Sequence, residues 1–375
     1  MDFSLNDEQK QLSDSVGKFV KGSYDFEKRR QIIKKHDSLD PAIWQQFAEL
    51  GWLSLPFAED DGGIGGTLID TMVLLEECGK GLVVEPFIPT VVLGGGFIRR
   101  GTPAQKSRYL PALMAGTLQA AFAVQEYEQT FSLATTAATA TATADGDCYV
   151  LNGHKSVVLN GDRADVCVVL ARTAGNPGQE DGLTLFLVDT DTPGVQRTGH
   201  RLVDNTRAAD IRFDNVRIAH ENILGELHQG AALARTVINE AILALAAEAT
   251  GILSVLLYST VEYTKTRKQF GVAIGSFQVL QHRMTNMFIA HEQTRSLLLC
   301  ATLKMHEGHS DAGKAVHALK AQLGRAGRLL GQEAIQLHGG MGMTDEMPIG
   351  HYFKRITAID ALFGNADQHT RAFAA

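Results

Sequence analysis

A chain of 375 residues exceeds the usual ~100–200 residues of a single domain, which predicts two or three packed units with a substantial core. Its net charge of -7 arises from 35 Lys and Arg against 42 Asp and Glu, with the basic residues scattered. That pattern excludes the electrostatic footprint of a nucleic-acid binder or an anionic-membrane binder. The four cysteines, Cys78, Cys148, Cys167 and Cys300, form neither a Cys-x-x-Cys pair nor a Cys/His cluster at zinc spacing, so no metal site is expected and the thiols read as reduced, in a cytoplasmic protein.

In chain order, the opening Met1 to Glu8 is acidic and lacks the basic and apolar segments of a secretory signal. From Asn6, in a plausible cap with Asp7 and Glu8, to about Leu118 the apolar residues recur at helical spacing, as in Leu12, Val16, Phe19 and Val20. This is a first helical domain, residues 1–118. The glycine-rich stretch from Glu59 to Gly66 reads as a loop between helices, because no strand precedes it and no Lys-Ser/Thr follows.

Between residues 119 and 224 the period changes to that of strands, with turn pairs at Asp145-Gly146, Asn152-Gly153 and Asn160-Gly161. Strands are expected at Cys148 to Leu151, Lys155 to Leu159, Val166 to Ala171, Leu183 to Asp189 and Asp210 to Phe213, with the Thr/Ala stretch Ala134 to Ala144 as a further one. A compact antiparallel, barrel-like domain follows. Residues 225–375 return to helical spacing in long segments near 231–266, 276–308, 310–341 and 350–362, a helical bundle. The apolar run Ala241 to Tyr258 is interrupted by Glu248, which predicts a helix buried all round rather than a membrane span. The alternation of elements gives an α+β, mostly α, architecture.

An ordered set of phrases carries a more specific signal. They are Phe3-Ser4-Leu5-Asn6-Asp7-Glu8-Gln9; Leu50-Gly51-Trp52-Leu53 leading to Gly62-Gly63-Ile64-Gly65; Asn152-Gly153-His154-Lys155 with Asn160-Gly161; Tyr263 to Gly271, containing Arg267-x-x-Phe270-Gly271; and Gln336-Leu337-His338-Gly339-Gly340. In this order, over nearly the whole chain, they resemble the acyl-CoA dehydrogenase superfamily. The resemblance implies its three-domain fold, ending in a four-helix bundle, with FAD as cofactor, an acyl-CoA thioester as substrate, an electron-transfer flavoprotein as redox partner and a tetramer whose flavin lies across a subunit interface.

Two of the motifs suit a dinucleotide. Arg267 offers a fixed fork of donors to a pyrophosphate, Gly339 and Gly340 admit close backbone approach, and Gln278 and Gln336 can bond ribose or ring atoms. The alternative is that Arg267 pairs with a carboxylate and the glycines merely end a helix. The resemblance adds Gln269, Phe270, Asn365 and Asp367 to the cofactor contacts.

The pattern departs where proton chemistry is required. The family's base follows a Tyr and precedes Gly-Thr, yet the matching stretch is Ala361-Leu362-Phe363-Gly364-Asn365, with Phe363 at the base position. In a second group of members the base lies ten residues before a helix glycine; counting back from Gly251 gives Ala241, followed by Ile242 in place of an Arg. Glu240, one residue out of register, and Glu248, seven residues on and so near the same helix face, are the remaining candidate acids. Each has the alternative of a buried ion pair. The β-domain flavin contacts also differ: Val124 to Thr130 replaces a Thr-Glu pair and Gly-Ser-Asp loop, and Val157 and Leu159 replace an aromatic residue and a Thr. The expectation is a small or non-catalytic type of subunit of a heteromeric dehydrogenase, like those acting on steroid side-chain or pimeloyl-type CoA esters, which completes a partner's flavin site. The alternatives are a self-sufficient homotetramer with a relocated base, a flavin oxidase or monooxygenase on the same fold, or a structural subunit without cofactor.

Overall fold

The computed structural model describes residues 5–35, 37–127, 131–143 and 147–375. The Asp145-Gly146 turn, the Phe3-Ser4 opening and Glu128 to Thr130 lie outside these residues.

Several helices start where the sequence supplies caps. Helix α1 (Asp7–Ser23) opens on a capping box in which the Asn6 side chain accepts the Gln9 amide at 2.8 Å and the Gln9 side chain accepts that of Asn6. Helix α2 (Phe26–Lys35) follows, then α3 (Pro41–Glu49), capped by Asp40 with proline at its first position. The Glu59–Gly66 stretch is a loop with one 3₁₀ turn between α3 and α4 (Leu68–Lys80), as expected, and Thr67 with Asp70 caps α4. A buried π-helical segment, Ile88–Gly94, runs into the short α5 (Gly95–Ile98), and α6 (Pro103–Met114) starts at a Thr102/Gln105 capping box.

Eight strands form the middle sheet: β1 (Ala120–Ala123), β2 (Thr139–Ala142), β3 (Cys148–Leu159), β4 (Val166–Arg172), β5 (Leu183–Asp189), β6 (Val195–Arg201), β7 (Arg207–Ala219) and β8 (Ile223–Leu224). Their order is β6-β7-β3-β2-β4-β5-β8, with β1 also on β4, and the sheet is not closed into a barrel. Three expectations change here. The β1 and β2 pairings with β4 are parallel, so the sheet is mixed rather than wholly antiparallel. Asn152-Gly153 is no turn: β3 runs through it with a register shift. A Cβ on Gly153 would lie 2.5 Å from that of Ala138, so the glycine serves a close approach within the sheet. Of the Thr/Ala stretch, Thr139–Ala142 is strand. The sheet covers a core of Tyr149, Leu151, Val169, Phe186, Ile211 and Phe213 with their neighbours.

The long helix α7 (Gly230–Thr266) leads to a small hairpin, β9 (Lys268–Gln269) with β10 (Val272–Ala273), and then to α8 (Gln278–His306), α9 (Ala312–His338), α10 (Pro348–Ala361) and α11 (Ala366–Ala374). Helix α7 is, among the described residues, the one helix long and apolar enough to cross a membrane, but 83% of its most apolar window is buried inside the protein. By contacts the chain divides into two compact units: Ile33–Gly66 with Val84–Ala241, and the segments up to Ile32, Thr67–Val83 and Ile242–Ala375. In the second, α4 and α7 cross through reciprocal glycines. A Cβ on Gly79 would sit 2.0 Å from the Glu248 carbonyl oxygen, and one on Gly251 would sit 2.0 Å from that of Glu76.

Candidate functional site

The two cofactor motifs are carried by neighbouring ends of the bundle. The Tyr263 ring, one turn before Arg267, stacks on His338 at 4.3 Å between centroids, and Arg283 on α8 pairs with Glu333 on α9. The hairpin closes through the Ile274 amide on the Arg267 carbonyl, 2.8 Å, and its tip is Phe270-Gly271, both with positive φ (53° and 83°). Phe270 is 92% exposed. The Arg267 side chain is exposed and makes no hydrogen bond or ion pair with any described residue, so its carboxylate-pairing alternative is not what the structure shows. Gln269, Gln278 and Gln336 are exposed as well.

Gly339 ends α9 at φ 61°, ψ -143°, a conformation only glycine adopts readily, and a Cβ on Gly271, Gly339 or Gly340 would meet nothing within 4 Å. These glycines face open space. A cationic fork, amide-bearing side chains and bare backbone with room in front of it suit a dinucleotide. Asn365 and Asp367 lie elsewhere. Gly324 packs on Asp360 and Ala366, so their turn meets α9 twelve residues before Gln336, roughly 18 Å along the helix. The Asn365 side chain caps α11 by accepting the Gln368 amide at 3.0 Å, while Asp367 is exposed.

Both candidate acids are engaged. Glu248, 4% exposed, meets Arg355 fork to fork: Nε to Oε1 at 2.6 Å and an Nη to Oε2 at 2.7 Å. Glu240, 7% exposed, receives Arg100 on Oε1 at 2.6 Å and Arg99 on Oε2 at 2.8 Å. A carboxylate held by guanidinium groups in this way has its lone pairs occupied by donors, so its oxygens are not free to reach a proton on carbon. The ion-pair alternative describes both. Neither Phe363 nor the fully buried Ala241 offers an ionisable group. The adjacent Arg99-Arg100 and the lone Arg355 were the missed partners; nothing in their spacing points to Glu240 or Glu248.

The middle sheet is braced by buried polar groups. Lys155, fully buried, donates to Glu126 Oε1 at 2.7 Å and to the Val124 carbonyl, while Glu126 also accepts the Ala137 and Ala138 amides. Both limbs of the 124–138 segment are thus tied down. Arg172 spends its donors on five carbonyls, those of Ala134, Thr136, Ala174, Gln179 and Asp181. Val157 stands in a bulge at φ 50°, a strained conformation for a β-branched residue, and is 40% exposed. The side chain carried on this bulge is small and apolar.

Models of the N-terminal, middle and C-terminal domains of acyl-CoA dehydrogenases match residues 6–117, 121–216 and 228–375. A probable acyl-CoA dehydrogenase of Mycobacterium tuberculosis, FadE25, is 30% identical over 316 residues, 82% of this chain and 80% of that one. Among solved structures, the FAD complex of PigA has a TM-score of 0.92 at 27% identity, covering 100% of this chain and 98% of that chain. A variant of the Tcur3481-Tcur3483 steroid ACAD has a TM-score of 0.89 at 28% identity, covering 99% and 98%.

Proposed function

Since the chain belongs to the acyl-CoA dehydrogenase family, we propose that it is one subunit of a heteromeric FAD-dependent acyl-CoA dehydrogenase, in which a homologous partner supplies the base and this chain completes the partner's flavin site. The carrying observation is that no carboxylate is free at either base position, while Arg267, Gln336, Gly339 and Gly340 stand open to solvent. The reaction is α,β-dehydrogenation of a CoA thioester, with electrons passing on to an electron-transfer flavoprotein. FAD, when bound, supplies the hydride acceptor. Arg267 would pair with its pyrophosphate, Gly339 and Gly340 would let the backbone approach it, and Gln278 and Gln336 would bond its ribose or ring. This chain takes no proton from the substrate. The likeness to a two-component steroid dehydrogenase favours a bulky acyl group.

The test is purification alone and together with a dehydrogenase-like partner. Alone, the chain is expected to hold little flavin and to be inactive; in an equimolar complex both flavin and turnover return. A lone chain with stoichiometric FAD and full turnover overturns the proposal. In the complex, Glu240→Gln and Glu248→Gln are expected to keep kcat, which separates this reading from a homotetramer with a relocated base.

A further inference from the structure

The turn joining α10 to α11 is held from every side. Lys320 on α9 is fully buried and its ammonium donates to three carbonyls: Ile359 at 2.9 Å, Asp360 at 2.8 Å and Gly364 at 2.9 Å. Those acceptors lie in the last turn of α10 and in the turn beyond it, and the Ile359 carbonyl also accepts the Leu362 amide at 3.3 Å. The fourth, on Phe363, accepts from His369 Nε2 at 3.0 Å. Because that nitrogen donates, His369 Nδ1 is the acceptor toward His317 Nδ1, 2.9 Å away. The Asp360 side chain accepts the Ala366 amide at 3.1 Å, starting the next helix. Within this cage Phe363 is at φ 56° and Gly364 at φ 96°. A left-handed conformation is unfavourable for a non-glycine residue and persists only where surroundings impose it.

We propose that Lys320 is a positioning residue: its ammonium imposes the left-handed turn Leu362–Asn365, so the direction of the side chain at 363 is set by α9 and not by what that side chain is. The inference rests on the reading that position 363 faces the thioester only for its functional consequence, that the seat of a base survives although the acid is gone.

The experiment is amide hydrogen exchange on the full chain. In Lys320→Met, the amides of Leu362–His369 are expected to exchange at least tenfold faster, with those of α7 unchanged. Phe363→Gly in the same background is expected to recover most of that protection, since glycine adopts the turn unaided; a loss of mere packing or of hydrogen bonds would not be recovered. Unchanged protection in Lys320→Met, or no recovery with glycine, overturns the proposal. Should Lys320→Met not fold, the unmodified chain is compared at pH 7 and pH 10. Burial pushes Lys320 down to about 8, with Asp360 on α10, His369 on α11 and His317 on α9 as the titratable groups around it. Faster normalised exchange confined to the turn at pH 10 supports the clamp, and equal exchange refutes it.

A separate arm tests the reading beneath. With FAD in an excess shown by flavin fluorescence to fill the chain's weak site, and octanoyl-CoA in D₂O, the carboxylate introduced by Phe363→Glu would take the α-proton, leave the enolate and return a deuteron, at least tenfold faster than the parent chain. Amide results as expected without this exchange would preserve the clamp and discard the view that 363 faces the thioester.

Discussion

The end of α9 with the α7–α8 hairpin and the turn at Phe363 are both built to hold a backbone in an uncommon conformation, but they differ in what they present. The first keeps both frame and chemistry: Gly339 and the Phe270-Gly271 tip have positive φ, and Arg267 remains exposed and unengaged beside them. The second keeps the frame alone, with four carbonyls satisfied by Lys320 and His369 around a phenylalanine. The bulge at Val157 in the middle sheet belongs with the second. On the proposed reading, a change of side chains on an intact scaffold is what a shared active site permits, because the fold must still pair with a partner while one copy of the chemistry is dispensable.

The largest expected effect tests whether Glu248 is structural. Arg355→Met should destabilise the chain by about 3–5 kcal/mol, because it leaves a buried carboxylate without its partner, and the Glu248→Gln/Arg355→Met double variant should recover most of this; urea unfolding measures both. Equal damage from the single and double variants would break the ion-pair account. Next in size, Arg267→Ala should weaken FAD binding by the assembled protein about 10–100-fold, the ~1.5–3 kcal/mol of a charged hydrogen bond, measured by flavin fluorescence. No change would mean that the retained chemistry is only apparent.

A smaller gain tests the eroded half. Leu159→Thr restores a hydroxyl and should improve flavin retention by about fivefold, near 1 kcal/mol. The smallest effect concerns the frame: burial pushes His369 down to about 4, so it stays neutral in the fold while the unfolded chain protonates near 6.5. Its contribution is therefore complete above about pH 6.5 and is lost as pH falls toward 4, an acid sensitivity of the urea midpoint that His369→Gln should diminish.

Much of this was legible in the sequence because it rests on local rules. The cap at Asn6, the glycine loop before α4 and the apolar length of α7 all follow from spacing and residue type. What was hidden depends on distant partners. Asn152-Gly153 looks like a turn until Ala138 is seen to press on it, and Arg355 lies 107 residues from Glu248. Lys320 carries no local signal at all; a lysine in a helical stretch reads as solvent-facing until three carbonyls converge on it. The short α11 also escaped notice, and with it the turn that gives Phe363 its setting.

The reciprocal glycines where α4 meets α7 leave no room for sliding. With each missing Cβ replaced by the other helix's carbonyl, α7 cannot advance by one residue without driving a side chain into backbone. A shift of that size would turn Glu240 by about 100° and move it ~1.5 Å, into the place now held by Ala241. The crossing therefore closes one route by which an acid could reach the place of Ala241, a one-residue change of register, and leaves substitution of a side chain as the other.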